Sequence, residues 1–139
     1  MLARTSPIRL VARRAAAMII AAVLTTRCAP IANTIQLAPS ATRDSLVFMI
    51  GSATGAGAAT SVYGLSVIRC GDERAFWTIA ADGSRSLPER IAYGRLIPGF
   101  ETRAGPEPLL PGCYQAIVSG ADPVTFDVTA TGQIRVRGP

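Results

Sequence analysis

The chain of 139 residues has no histidine and no lysine, so all 14 of its cationic side chains are arginine. Arginine stays protonated in proteins and serves neither as a proton carrier nor as an amine nucleophile. The composition therefore excludes histidine-activated serine and cysteine nucleophiles, serine–lysine pairs, Schiff-base chemistry, the phosphate-binding lysine of P-loops and histidine-ligated zinc. Most hydrolase and transferase mechanisms need one of these groups.

Carboxylates are the acid–base groups that remain, and the chain has nine of them. Asp72 and Glu73 are adjacent in a polar stretch after Cys70, which is typical of a solvated turn. No spaced acidic loop for calcium accompanies them. We therefore predict no catalytic residues, no metal site and no cofactor, with one alternative kept open: a small periplasmic enzyme that uses carboxylate or tyrosine chemistry.

A glycine-rich stretch over Gly51–Gly57 follows an apolar run, as a dinucleotide-binding loop would. Thr60 stands where the third glycine of that motif belongs, and the residues that follow have the pattern of a strand instead of a helix. We interpret this stretch as a flexible hairpin connection.

The basic character of the chain is confined to its N-terminal part. Five arginines and no acids precede Cys28, whereas residues 28–139 carry nine arginines against nine acids. A nucleic-acid-binding domain needs a basic face on the folded part. The near-neutral remainder therefore predicts no nucleic-acid partner.

The first 28 residues have the three-part layout of an export signal: a basic stretch, the apolar run Ala15–Leu24, and Thr25-Thr26-Arg27-Cys28. This layout resembles the signal of bacterial lipoproteins, with Leu24 one place early and Arg27 in a small-residue position. The resemblance implies a lipid-modified Cys28, a membrane partner through that lipid anchor, and a location in the cell envelope, periplasm or outer membrane. An ordinary secreted or periplasmic protein and a retained anchor stay open as alternatives.

If Cys28 carries a lipid, the other two cysteines are left as one pair. Cys70 and Cys113 then form a disulfide that closes a loop of about 43 residues and stabilises a small domain in an oxidising compartment. Two buried free thiols are the alternative.

Three regions follow from these features: an export signal over residues 1–28 that is helical, a flexible tether over 29–43 and a β-sandwich domain over 44–139. The tether is rich in Pro, Ala, Thr and Ser, although Ile31–Leu37 also fits a first edge strand. Short β-rich runs without helical periodicity follow. They are Leu46–Ile50, Val62–Cys70, Ala75–Ala80, Arg90–Gly94, Cys113–Ser119, Val124–Thr129 and Gln133–Arg137.

The last runs alternate apolar and polar residues and are separated by turn-forming residues, which predicts an antiparallel meander with one apolar face. Short strands broken by Gly and Pro favour a small antiparallel β-sandwich, an all-β fold. The predicted core residues are Val47, Leu65, Val67, Ile79, Ile91, Tyr114, Ala116, Val118, Val124, Phe126, Val128, Ile134 and Val136.

Leu110-Pro111-Gly112-Cys113-Tyr114 and the alternation up to Ser119 resemble the Pro-Gly-x-Tyr turn and strand of immunoglobulin-like and prealbumin-like bacterial modules. The resemblance implies a sandwich fold and carries no activity, since such modules act mostly as scaffolds, adhesion or binding units.

Phe76 and Trp77 are adjacent, so in a regular strand they point to opposite faces and one of them faces outward. We take Trp77 as the candidate binding residue for a protein or carbohydrate partner. The alternative is that the proline-rich segment 87–110, interpreted as an irregular crossover, covers both faces. The sequence as a whole predicts a non-enzymatic, exported cell-envelope protein that serves as a binding or structural module.

Overall fold

A computed structural model describes residues 33–53, 62–82 and 86–138, and in these ranges the chain forms nine strands and no helix. The all-β fold predicted from the sequence is confirmed. The signal segment and Cys28 lie outside the described residues. The strands are β1 (Asn33–Leu37), β2 (Val47–Ser52), β3 (Gly64–Arg69), β4 (Ala75–Ala81), β5 (Arg90–Ala92), β6 (Phe100–Ala104), β7 (Gly112–Val118), β8 (Val124–Val128) and β9 (Ile134–Val136).

The strands form two antiparallel sheets that make a small sandwich. The smaller sheet has the order β1-β2-β5, and the larger has the order β6-β4-β3-β7-β8-β9. Between them lies an apolar core to which Phe48 and Ile91 contribute from the smaller sheet, and Trp77, Tyr114 and Phe126 from the larger one. All five side chains are at most 1% exposed. The sheets are thus held together by the burial of apolar and aromatic surface.

The predicted meander is present as β7, β8 and β9. Tyr114 lies opposite Phe126 and Ala116 opposite Val124, so the inward residues of neighbouring strands meet on one face. The alternation of these strands places every second side chain on the core side, since successive residues of a strand point to opposite faces. The alternation in the sequence therefore indicates correctly which face of the meander lies toward the core.

The Pro-Gly-x-Tyr turn enters β7 in the expected way. Gly112 has φ +153°, a conformation that residues with a side chain rarely adopt. Two residues later the hydroxyl of Tyr114 donates a hydrogen bond of 2.9 Å to the carbonyl oxygen of Leu110. A buried tyrosine bonded to the backbone a few residues upstream is the arrangement called a tyrosine corner in Greek-key sandwiches.

The domain begins earlier than the sequence suggested, because residues 33–43 are packed and hydrogen-bonded. β1 pairs with β2 along its whole length, which confirms the first edge strand. The backbone N–H of Asn33 donates to Gly120 O (2.9 Å), and Ile134 N donates to Ala41 O (3.3 Å). The described part of the expected 29–43 tether is therefore part of the sandwich.

Two predicted core residues are wrong and two are only partly buried. Val47 lies half-exposed on the outer face of β2, because Phe48 and Ile50 occupy the inner face. Val136 is 55% exposed, since β9 is an edge strand at the rim of the core. Val124 and Ile134 pack against the core without full burial. The other predicted residues are buried: Leu65, Val67, Ile79, Ile91, Tyr114, Ala116, Val118, Phe126 and Val128.

Candidate functional site

The larger sheet has an outer face that the smaller sheet does not cover, and its middle strands line it with small, hydroxyl-bearing and half-buried residues. β3, β4, β7 and β8 contribute alternate residues to it, because the intervening ones point into the core. We call this surface the outer face; it consists of Ser66, Ile68, Thr78, Ala80, Gln115, Ile117, Thr125 and Asp127.

A groove of about 300 Å³ runs along the outer face where β6, β4, β3 and β7 lie side by side. Its floor is low because Gly64 and Ala80 have little or no side chain. Gly64 is required there: a Cβ at this position would lie 2.9 Å from the carbonyl oxygen of Ile79 in the neighbouring strand. Arg103 and Ile117 form opposite sides. We call this feature the sheet-face groove.

The hydroxyl groups of the outer face bond to their neighbours across strands. Thr78 Oγ1 donates to Ser66 Oγ at 3.2 Å, and Gln115 Nε2 donates to Thr125 Oγ1 at 3.3 Å. Each of these oxygens keeps further hydrogen-bonding capacity, because a hydroxyl has one donor and two acceptor positions. The outer face therefore offers polar groups that are already oriented by their neighbours, and Ser66 and Thr78 present theirs to the groove.

Arg103 differs from the arginines that have partners in the domain. Arg137 binds Asp127 through two hydrogen bonds of 2.7 and 2.8 Å, and Arg74 binds Glu107 at 2.7 Å. Within the described ranges Arg103 forms no ion pair, although it lines the groove. Its guanidinium is the positive group that a bound molecule in the groove would meet.

The disulfide predicted between Cys70 and Cys113 is present, with Cα atoms 5.3 Å apart. β3 and β7 are neighbours in the larger sheet, and Cys70 N donates to Cys113 O at 2.9 Å just beyond their last pair, Arg69 and Tyr114. The bridge therefore joins adjacent strands of one sheet.

Trp77 does not lie on a surface: it is 0% exposed, and Phe76 is 3% exposed. The reason is a β-bulge. Trp77 pairs with Val67 and Ala75 with Ile68, so Phe76 is an extra residue and both aromatic rings can turn toward the interior. Phe76 packs edge-to-face against Tyr114 (5.1 Å), and Trp77 against Tyr93 (5.2 Å). The expectation that Trp77 faces outward is therefore wrong.

Two tyrosine hydroxyls donate hydrogen bonds to the backbone. Tyr93 donates to the carbonyl oxygen of Glu107 at 2.7 Å and Tyr114 to that of Leu110 at 2.9 Å. Burial is the main cause that raises the pKa of Tyr93 to about 12, and burial also raises the pKa of Tyr114. Both phenols therefore stay protonated near neutral pH and hold the segment 107–110 against the core.

The carboxylates are dispersed. Among the described residues no three cysteine or acidic side chains come together as a metal site would require. The pKa of Asp127 is lowered by the hydrogen bonds from Arg137, so this carboxylate is a stable anion with a partner. Most of the glycine-rich stretch over Gly51–Gly57 lies outside the described residues, as does Cys28.

The sheet-face groove was not predicted from the sequence. Its residues are small or polar and none belongs to a recognisable motif. Arg103 lies in the segment 87–110, whose prolines predict an irregular crossover and whose mixed charges predict a solvated surface instead of an anion site. The signal available was the polar half of each alternating strand, which identifies an outer face but not a groove.

Comparison with known proteins adds no relative: no protein-family model, curated protein or solved structure matches this chain. Within the described ranges no helix is both long and apolar enough to cross a membrane.

Proposed function

We propose that this chain is an exported, non-enzymatic cell-envelope protein, held at a membrane by a lipid on Cys28, that serves as a binding or structural module. The observation that carries the proposal is the Cys70–Cys113 disulfide in a domain that follows a signal-like N-terminus. Disulfides of this kind persist in oxidising compartments such as the bacterial periplasm and are rare in the cytosol.

The pairing of Cys70 with Cys113 also leaves Cys28 as the spare cysteine, at the position where the lipoprotein-type signal ends. Only residues 29–32 separate Cys28 from Asn33, and Asn33 is fixed to the sandwich by hydrogen bonds to Ser119 and Gly120. An extended chain advances at most about 3.6 Å per residue, so the link spans no more than about 18 Å. A lipid on Cys28 therefore holds the domain close to the bilayer.

The surface we assign to binding is the outer face with its sheet-face groove. It combines hydroxyl groups, the half-buried side chains Ile68 and Ile117, and the guanidinium of Arg103, which forms no ion pair with the described residues. Mixed polar and apolar groups of this kind suit a protein or glycan segment laid across the sheet. The buried Trp77 takes no part, so stacking of a sugar on that ring is not part of the proposal.

The competing function, an enzyme that uses tyrosine or carboxylates, has weaker support. Tyr93 and Tyr114 are bonded to backbone carbonyls and have raised pKa values. Asp127 and Glu107 are each bound to an arginine. General acid–base catalysis needs a group that titrates near the working pH and reaches a substrate. These four side chains instead serve the stability of the sandwich.

Cell fractionation tests the proposal. The full chain is expressed in a bacterial host with its own N-terminal segment, beside the variants Cys28→Ala and Ala29→Ser. We expect the wild-type protein and the matched Ala29→Ser control in the membrane fraction, both carrying a labelled fatty acid supplied to the cells, and Cys28→Ala without that label. Absence of the label from the wild type, or equal labelling of Cys28→Ala, would contradict lipid anchoring. Recovery of the wild type in the cytoplasm would contradict export altogether.

A further inference from the structure

The free edge of β6 has a backbone that is open to pairing at one residue. Asp82 N donates to Gly99 O at 3.2 Å, so Gly99 faces β4. Residues of an antiparallel strand face their partner alternately, so Glu101 also faces β4, whereas the backbone groups of Phe100 and Thr102 point away from the sheet. Phe100 N already donates to Ile97 O at 3.0 Å. Among the residues that the structure describes along this edge, Thr102 is therefore the one whose N–H and C=O both remain available.

Opposite charges flank Thr102. Glu101, Thr102 and Arg103 are all exposed. Arg103 lines the sheet-face groove, and Glu101 lies opposite Ala80, another residue of that groove, so both charges lie on the same side of the sheet as the outer face. Neither charge forms an ion pair inside the described part of the domain. The edge thus presents one acid and one base, two positions apart, neither of which has an ion-pair partner among the described residues.

We propose that a second copy of this chain pairs with β6 in antiparallel orientation about a two-fold axis at Thr102. This register places Thr102 opposite its counterpart and each Glu101 opposite Arg103 of the other copy. Two cross-strand ion pairs and the backbone hydrogen bonds between the two Thr102 residues form together. An isologous contact of this kind closes on itself and yields a dimer.

The other edges of the sandwich do not fit the same pairing. The equivalent arrangement about Val136 in β9 would oppose Arg135 and Arg137, and like charges directly opposite each other are destabilising. At the start of β1, the backbone N–H of Asn33 is already bonded to Gly120 O. β5 is only three residues long. Short edges and repeated charges are the devices by which sheets avoid edge-to-edge association, and β6 is the edge with complementary charges.

A register shift between Thr78 and Ile79 leaves Arg103 as an extra residue in β6. The bulge restricts regular backbone pairing to the neighbourhood of Thr102. The two ion pairs therefore provide much of the specificity of the contact between the two copies. Exposed ion pairs are weak and are screened by salt. We therefore expect a dimer that dissociates as the salt concentration rises.

The test uses charge exchange combined with cross-linking in cells. The full chain carrying Thr102→Cys is exported, and dimers are detected as a band that disappears on reduction. The controls are the unsubstituted chain, which reports cross-linking through Cys28, and Val136→Cys on the opposite edge. We expect a dimer band for Thr102→Cys and none above background for either control.

Glu101→Arg or Arg103→Glu, each added to Thr102→Cys, opposes like charges and should reduce the dimer band about tenfold. Co-expression of the two charge variants restores both ion pairs and should restore the band. Equal thermal unfolding of the charge variants and their parent shows that the fold is intact. A band that is insensitive to the charge variants, a failure of co-expression to restore it, or its absence in the parent would overturn the proposal.

Discussion

The two faces of the larger sheet are built from the same strands but differ in what their side chains do. The inner face is aromatic and aliphatic, and its residues Trp77, Tyr114 and Phe126 are completely buried. The outer face is made of hydroxyls, small residues and two half-buried isoleucines, and it carries the groove and the disulfide. Alternation along each strand places one set of residues in the core and the other set on the uncovered surface of the sheet.

The two faces of the sheet should also differ in how well they tolerate substitution. Residues that hold a core together tolerate little change, because cavities and strain are costly in closely packed interiors. The residues of the outer face are restrained mainly by neighbours on the same surface, such as the Thr78–Ser66 hydrogen bond. If this difference is correct, substitutions on the two faces should lower the free energy of unfolding by different amounts.

The largest difference is expected between adjacent residues of β8. Phe126→Ala empties a fully buried site that stacks against Tyr114 at 5.8 Å, and should lower the free energy of unfolding by about 3–5 kcal/mol. Thr125→Ala on the outer face loses one hydrogen bond from Gln115 and should cost about 0.5–1.5 kcal/mol. Denaturant unfolding of the two variants measures both. Equal losses would mean that the two faces do not differ as described.

The disulfide should be the exception on the outer face, because it acts on the unfolded chain. Cys70 and Cys113 are 43 residues apart, and closing a loop of that length stabilises by about 3–4 kcal/mol in the chain-entropy model. The double variant Cys70→Ser, Cys113→Ser should lose about this amount, and reductant should destabilise only the parent. Unchanged unfolding of the parent in reductant would show that the bridge contributes nothing.

A substitution in the floor of the groove should have an intermediate effect on the free energy of unfolding. Gly64→Ala places a Cβ 2.9 Å from Ile79 O, so β3 and β4 must move apart, at a cost of about 1–3 kcal/mol. Gly138→Ala is the matched control, because a Cβ there meets nothing within 4 Å. Thermal unfolding compares the two. A neutral Gly64→Ala would contradict the close approach of the strands.

The smallest effect is expected from the exposed Asp127–Arg137 pair and should depend on pH. The hydrogen bonds from Arg137 lower the pKa of Asp127 below its ordinary value of 3.8. The contribution of the pair is therefore complete above pH 3.8 and is lost as the pH falls through the lower, folded-state pKa. Asp127→Asn should lower the melting temperature slightly at neutral pH and make it less sensitive to acid. Parallel acid profiles of variant and parent would exclude this linkage.

The features predicted best from the sequence are the strands whose residues alternate between apolar and polar and the turns between them. The buried face of β8 was predicted correctly because Val124, Phe126 and Val128 alternate with the polar residues Thr125 and Asp127. The run over β2 is apolar on both faces, so the sequence could not distinguish Val47 from Phe48 as the inward residue. Periodicity identifies a buried face only where the other face is polar.

Other features depend on contacts that are distant in sequence. β6 was missed because its residues are polar and charged, and it becomes a strand by pairing with β4. The burial of both Phe76 and Trp77 results from a bulge, which leaves no mark in a single sequence. The cysteine count predicted the disulfide, but its position between neighbouring strands required the sheet order.

The most direct test of the account is the intact mass of the protein isolated from the membrane fraction of a bacterial host that exports it. We predict a chain that begins at Cys28, carries the mass of an attached lipid, and is lighter by two hydrogens than its reduced form because Cys70 and Cys113 are joined. A chain that retains residues 1–27, or one without lipid and with both thiols free, would contradict the claim that this sandwich is a lipid-anchored module of the cell envelope.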